Sequence, residues 1–126
     1  MPNVSARRSE MSFKIKRAYE KPAGTDGVRV LVDRIWPRGV SKADAKIDQW
    51  RKEIAPSTAL RKWFGHRPAR WVEFKRRYFA ELRTRDEALD ELRKVANAKT
   101  VTLVFGAKDA EHSQAAALKE YLETRV

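Results

Sequence analysis

Apolar and basic positions alternate along Phe13-Lys14-Ile15-Lys16-Arg17-Ala18-Tyr19. That period of two predicts a half-exposed strand at a sheet edge. Val28-Arg29-Val30-Leu31-Val32 and Val101-Thr102-Leu103-Val104-Phe105 are instead β-branched and nearly continuous. Such runs suit strands covered on both faces. Gly24, Asp26 and Gly27 mark a turn before the second strand.

Between the second and third strands the apolar spacing becomes helical. Ser41 is an N-cap with Asp44 three residues on, and Ile47, Trp50 and Ile54 follow on one helical face, which predicts a helix running to Pro56. Ser57 caps a short helix carrying Leu60, Trp63 and Phe64, with Gly65 at its C-terminal left-handed position. Pro68 opens the next helix, whose residues Trp71, Phe74, Tyr78 and Leu82 make one apolar stripe. Thr84 and Glu87 read as a capping box for a helix with Leu89, Leu92 and Val95. After the third strand, Asp109 is expected to cap a last helix with Ala115, Leu118 and Leu122 on its inner side.

Strands separated by helices predict an α/β fold, a small and mainly parallel sheet covered by helices in a single domain. The segment Glu20 to Gly27 is too short for an ordinary helical crossover, so spacing alone predicts an antiparallel first pair.

Composition narrows the function classes. Cysteine is absent from the 126 residues, which excludes disulfides, thiolate catalysis and cysteine-based metal sites and fits a cytoplasmic location. The longest apolar run, Val101 to Phe105, is far too short to cross a membrane, so no membrane partner is expected. Residues 1–10 lack apolar periodicity and read as a disordered tail. The formal charge of +11 favours acidic partners such as nucleic acid or phosphorylated small molecules. A solvated basic surface gives the same number.

Ligands of open α/β sheets bind beyond the carboxyl ends of the strands. The second strand runs into Asp33-Arg34-Ile35-Trp36-Pro37-Arg38-Gly39, and the third into Gly106-Ala107-Lys108-Asp109-Ala110-Glu111-His112. Were these strands parallel neighbours, one rim would gather Asp33, Arg34, Arg38, Lys108, Asp109 and His112. Two arginines can grip a phosphate or carboxylate in fork geometry. His112, expected in the first turn of the last helix, is the candidate acid or base. Asp33, beside arginine, is expected to be held ionised and to orient or activate. The plainer alternative pairs Asp33 with Arg34 or Lys108 as a loop anchor and leaves Asp109 as a cap. Trp36 and Trp63 are expected to wall the pocket, whereas Trp50 and Trp71 fall on core stripes. His66 reads as a solvated or capping residue at a helix end, with the rim within its reach. No metal-ligand spacing, Walker loop or dinucleotide fingerprint is present, so no metal or cofactor is expected.

From Arg61 to Arg85, basic residues interleave with aromatics, as in proteins that stack single-stranded nucleic acid. Here the aromatics keep the helical core period, which favours a solvated helix face.

The stretch from Val28 to Lys42 resembles the opening signature of the YeaO-like family of small bacterial proteins. So do Glu53-Ile54-Ala55-Pro56-Ser57, Leu60-Arg61-Lys62-Trp63-Phe64-Gly65-His66, and Ala107-Lys108-Asp109 with His112. The resemblance spans nearly everything from Phe13 onward. It implies a parallel sheet, and membership of a domain-of-unknown-function family. Relatives in the broader group carry Cys-His-Arg where this chain has Glu111-His112-Ser113, so a thiol-dependent role does not carry over. The functional expectation is a pocket for a small anionic ligand, nucleotide-like or sugar-phosphate-like, with acid–base chemistry at His112. The alternatives are a basic nucleic-acid-binding module and a partner-binding protein without catalysis. Oligomeric state is not legible.

Overall fold

The computed structural model describes residues 12–124, so the expected tail at residues 1–10 lies outside the described residues. Four strands, β1 (Phe13–Arg17), β2 (Val28–Leu31), β3 (Gln49–Trp50) and β4 (Val101–Phe105), form one sheet in the order β1-β4-β2-β3. Every pairing is parallel, with Ile15 opposite Leu103, Val30 opposite Leu103 and Leu31 opposite Trp50. The helices are α1 (Lys42–Ala45), α2 (Thr58–Phe64), α3 (Trp71–Leu82), α4 (Asp86–Ala98) and α5 (Gln114–Thr124).

The expected antiparallel first pair is not formed. β4 sits between β1 and β2, and both pair with it in parallel. The connecting ten residues, 18–27, return along one face of the sheet with no α-helix and a single 3₁₀ turn at Gly24–Asp26. At about 3.3 Å per residue they have ample reach to pass a five-residue strand. Side chains of that face hold the return in place: Lys14 donates to the Thr25 carbonyl at 3.1 Å, and Thr102 donates to the Asp26 carbonyl at 2.7 Å.

The helix expected from Ser41 to Pro56 is also corrected. Ser41 does cap a turn of helix, accepting from Asp44 N–H at 3.0 Å. Lys46 then adopts a left-handed backbone with φ 49°, which ends the helix. Asp48 accepts from Arg29 N–H at 2.8 Å, and Gln49–Trp50 adds to the sheet as β3. The helical spacing of Ile47, Trp50 and Ile54 therefore marks burial in a loop and short strand.

Residues of alternate parity divide the sheet into two faces. Phe13, Val30, Val32, Val101, Leu103 and Phe105 pack with residues of α2 to α5 into the main core, which includes Phe64, Phe74, Tyr78, Leu89, Leu118 and Tyr121. The opposite face carries Ala18, Leu31 and Val104 under Trp36, Val40, Ile47 and Trp50. Helices thus cover one face, and the loops after β1 and β2 cover the other.

Helix ends follow local chemistry. Ser57 accepts from Leu60 N–H at 3.1 Å, and Gly65 closes α2 with φ 54°. Thr84, expected in a capping box, donates instead to the Glu81 carbonyl inside a 3₁₀ turn joining α3 to α4. Asp109 caps the turn before α5, accepting from His112 N–H at 3.1 Å, while Ser113 accepts from Ala116 N–H at the start of α5 itself.

Candidate functional site

Because β2 and β4 are parallel neighbours, the segments leaving them meet at one end of the sheet. There the carboxyl of Asp33 stands between the two strand ends. Gly106 N–H donates to its Oδ2 at 2.8 Å, and the Gln114 side-chain amide donates to its Oδ1. Gly106 permits this approach. A Cβ at that position would lie 3.0 Å from Asp33 Oδ2 and 3.5 Å from Pro37 Cβ.

Asp33 does not pair with arginine or Lys108 as an anchor, and it is not held strongly ionised. Burial pushes its carboxyl up to about 6, against the hydrogen bonds from Gly106 and Gln114 and the nearby charge of Arg61. Two neutral donors and one arginine compensate only part of the desolvation.

This carboxyl belongs to the lining of a cleft of about 550 Å³. Arg34, Arg38, Arg61 and His66 supply cationic or ionisable side chains, and Trp36, Phe64 and Phe74 supply rings. Arg34 is partly committed to the fold, donating to the Pro56 carbonyl at 3.1 Å and the Ala55 carbonyl at 3.3 Å. Trp36 is fixed by donation to the Val40 carbonyl at 2.6 Å and by an edge contact with Trp50 at 5.4 Å. Tyr19 closes one side, its hydroxyl donating to the Arg38 carbonyl at 2.8 Å. Among the described residues, the side chains of Arg38 and Arg61 make no hydrogen bond or ion pair.

The residues singled out from sequence therefore separate into two groups. Asp33, Arg34, Trp36 and Arg38 share the cleft. Trp63, Lys108, Asp109 and His112 are not in its lining. The Trp63 ring instead meets the guanidinium groups of Arg77 at 4.1 Å and Arg70 at 5.0 Å. Lys108 is exposed. His112 precedes α5 instead of occupying its first turn, and its Nδ1 lies 2.7 Å from Asp109 Oδ2, with its ring edge-on to Trp71 at 5.3 Å. The bond from His112 holds the Asp109 carboxyl below its usual value.

Arg61 and Gln114 line the cleft although sequence reasoning gave them no such role, and so does His66, which it read first as a solvated or capping residue within reach of the rim. Arg61 had a usable signal, since it lies one turn beyond the Ser57 cap in a helix that starts beside the strand ends. Gln114 had none, because its role depends on where α5 begins.

The basic stretch of α3 is largely engaged with its own helix. Glu73 accepts from Arg76 at 2.6 Å and Arg77 at 2.8 Å, and these bonds draw its carboxyl down to about 2. Lys75 pairs with Glu120 at 3.0 Å. No helix among the described residues is long and apolar enough to cross a membrane, and no group of acidic, histidine or cysteine residues among them could hold a metal ion.

Residues 12–126 match the family described as the inactive DUF488-N3 subclade. The chain is 38% identical over 114 residues to the uncharacterised protein YeaO of Escherichia coli K12, covering 90% of this chain and 99% of that protein. It is 43% identical over 116 residues to the uncharacterised proteins Mb3100c of Mycobacterium bovis and Rv3073c of Mycobacterium tuberculosis, covering 92% of this chain and 98% of each. No solved structure matches it. With the parallel sheet that the resemblance implied and a match running from residue 12 to the last, the chain belongs to the YeaO-like branch of the DUF488 proteins, the inactive DUF488-N3 subclade.

Proposed function

We propose that this protein binds a small anionic ligand in the cleft at the carboxyl ends of β2 and β4. The observation that carries this reading is the pair Arg38 and Arg61, two guanidinium groups in the lining that make no hydrogen bond or ion pair within the described residues. Guanidinium donors beside rings, with no carboxylate bonded to them, suit phosphate or carboxylate. His66 adds a third donor to the same wall.

Binding without turnover is the form of this reading that the observations favour. His112, the candidate acid or base, is tied to Asp109 and Trp71 away from the lining, and the family is described as an inactive subclade. A nucleic-acid surface on α3 draws less support, since Glu73 engages both Arg76 and Arg77 and offsets one of their two charges.

Thermal melts with inorganic phosphate and sulfate test the proposal. A ligand at a hundredfold excess over its dissociation constant raises stability by about 2.7 kcal/mol. The rise should vanish in Arg38→Ala and Arg61→Ala. No rise with any small anion would overturn it.

A further inference from the structure

The floor and the rim of the cleft make opposite chemical demands. At the rim, Arg38 and Arg61 offer only donors. At the floor, each Asp33 oxygen accepts one bond, from Gly106 N–H or from Gln114, and keeps capacity for another. Gln114 spends its amide nitrogen on Asp33, which leaves its carbonyl oxygen as a third acceptor. A bare phosphate would satisfy the rim and leave these acceptors unmet. A ligand that fills the cleft needs an anion at one end and N–H groups at the other.

Much of the lining between floor and rim is apolar. Phe64 and Phe74, stacked on each other at 4.3 Å and almost fully buried, back it, and the partly exposed Trp36 with Pro37 and Pro56 adds to it. Asp33 and Gln114 are the polar side chains on the floor, fewer than the several hydroxyls of a sugar would require. A planar ring with an amino-bearing edge fits better, because the partly exposed Trp36 offers a ring to pack on and the acceptors of Asp33 and Gln114 suffice for one edge. The volume of about 550 Å³ falls in the range of pockets that enclose small molecules of this size.

We propose that the cleft takes a nucleoside monophosphate with its base inward, an amino-bearing base edge donating to Asp33 and Gln114 and the phosphate lying on Arg38 and Arg61. This rests on the anion reading above and adds to it the identity of the inner end.

Acidity supplies an independent handle. The charged or ionisable groups around Asp33 are Arg61 on α2, His66 just beyond it, Tyr78 on α3, and Arg34 and Arg38 from its own loop. Gln114 on α5 and the Gly106 amide are neutral. Protonating Asp33 turns one of its oxygens into a donor and removes its charge, so a donating base edge is held less tightly. A phosphate near Arg61 would gain from the same protonation. The two placements therefore predict opposite responses to acid.

Calorimetric titration of the full chain with adenosine 5′-monophosphate and with ribose 5-phosphate decides between them. Both ligands carry the same phosphate, so their affinity ratio cancels the titration of that group. Near neutral pH the nucleotide should bind about tenfold more tightly, as a base edge plus stacking provides. Gln114→Ala and Asp33→Asn should each reduce the ratio to about one while ribose 5-phosphate still binds. Lowering the pH to about 5 should shrink the ratio in the wild type and not in Asp33→Asn. Equal affinity of the two ligands, or a ratio untouched by both variants and by acid, would overturn the inward base and leave the anion reading standing. Failure of both ligands and of inorganic phosphate to bind would overturn the two together.

Discussion

The Gln114 side-chain amide donates to the carboxyl of Asp33 across the gap between α5 and the end of β2. This contact joins the last helix to the strand ends and gives the carboxyl a neutral partner where a cation would have held its charge. Burial consequently dominates, and the group sits at about 6.

Stability should respond to pH through that residue. The folded value lies above the ordinary value of 3.8, so the fold binds the proton more tightly than the unfolded chain does. The contribution is full below pH 3.8 and is lost as pH rises through about 6. Its ceiling is about 3 kcal/mol. In Asp33→Asn that part of the pH profile should disappear, since Gln114 can turn its amide to accept from Asn. Urea melts of both proteins at a series of pH values measure the difference, and parallel profiles would show that the carboxyl is not buried as described.

The order and ends of the main elements were readable in the chain because their signals are local. Ser57 and Gly65 bound α2 by hydrogen bonds within four residues, and the valine-rich runs could be little else than interior strands. Strand order was not readable from spacing. The return from β1 to β2 depends on β4 lying between them, a fact encoded some seventy residues later. Half of the cleft was legible for the same reason: Asp33, Arg34, Trp36 and Arg38 leave a strand end directly. Arg61 and Gln114 reach it through the placement of α2 and α5, and His112 missed it because α5 starts at Gln114, beyond the turn capped by Asp109.

Gly27→Ala should be among the most damaging small substitutions. The residue has φ +66°, and a Cβ there would lie 2.2 Å from the Thr100 carbonyl oxygen. That oxygen accepts from Val28 N–H at 2.9 Å, so it cannot retreat without breaking the entry to β2. Backbone strain and steric overlap together should cost more than about 2 kcal/mol. Gly24→Ala serves as the control, because its Cβ would meet nothing within 4 Å. Comparable melts of the two variants would refute the steric argument.

A buried ionic group pins the crossover beneath the sheet. Asp26 accepts from Arg29 at 2.6 Å and from Lys16 at 3.1 Å, and both Asp26 and Arg29 are almost fully buried. Burial opposes the charge on Asp26, but the Ala23 N–H and the two cations outweigh it and hold the carboxyl below its usual value. Its stabilisation is therefore present above pH 3.8 and lost as acid protonates the folded form. Asp26→Ala should cost about 3–5 kcal/mol by leaving the Arg29 charge uncompensated in the interior. Chemical denaturation measures this, and a loss below about 1 kcal/mol would mean that water reaches Arg29 in place of the carboxylate.

His112→Ala separates the cleft from the turn before α5. The imidazole engages Asp109 at 2.7 Å and the edge of Trp71 at 5.3 Å, and it is not part of the lining around Asp33. If ligands are held by Arg38 and Arg61, the variant should keep the thermal shift with phosphate while losing a modest amount of stability. An exposed charge-assisted contact and one ring edge contribute little to the fold. Asp109→Asn should behave the same way, because the carboxyl acts on His112 and its turn. Arg61→Ala should show the converse, a normal melt without ligand and no shift with it. Loss of the phosphate shift in His112→Ala, with its unliganded melt unchanged, would move the binding site out of the cleft to the turn before α5 and reassign the histidine to ligand contact.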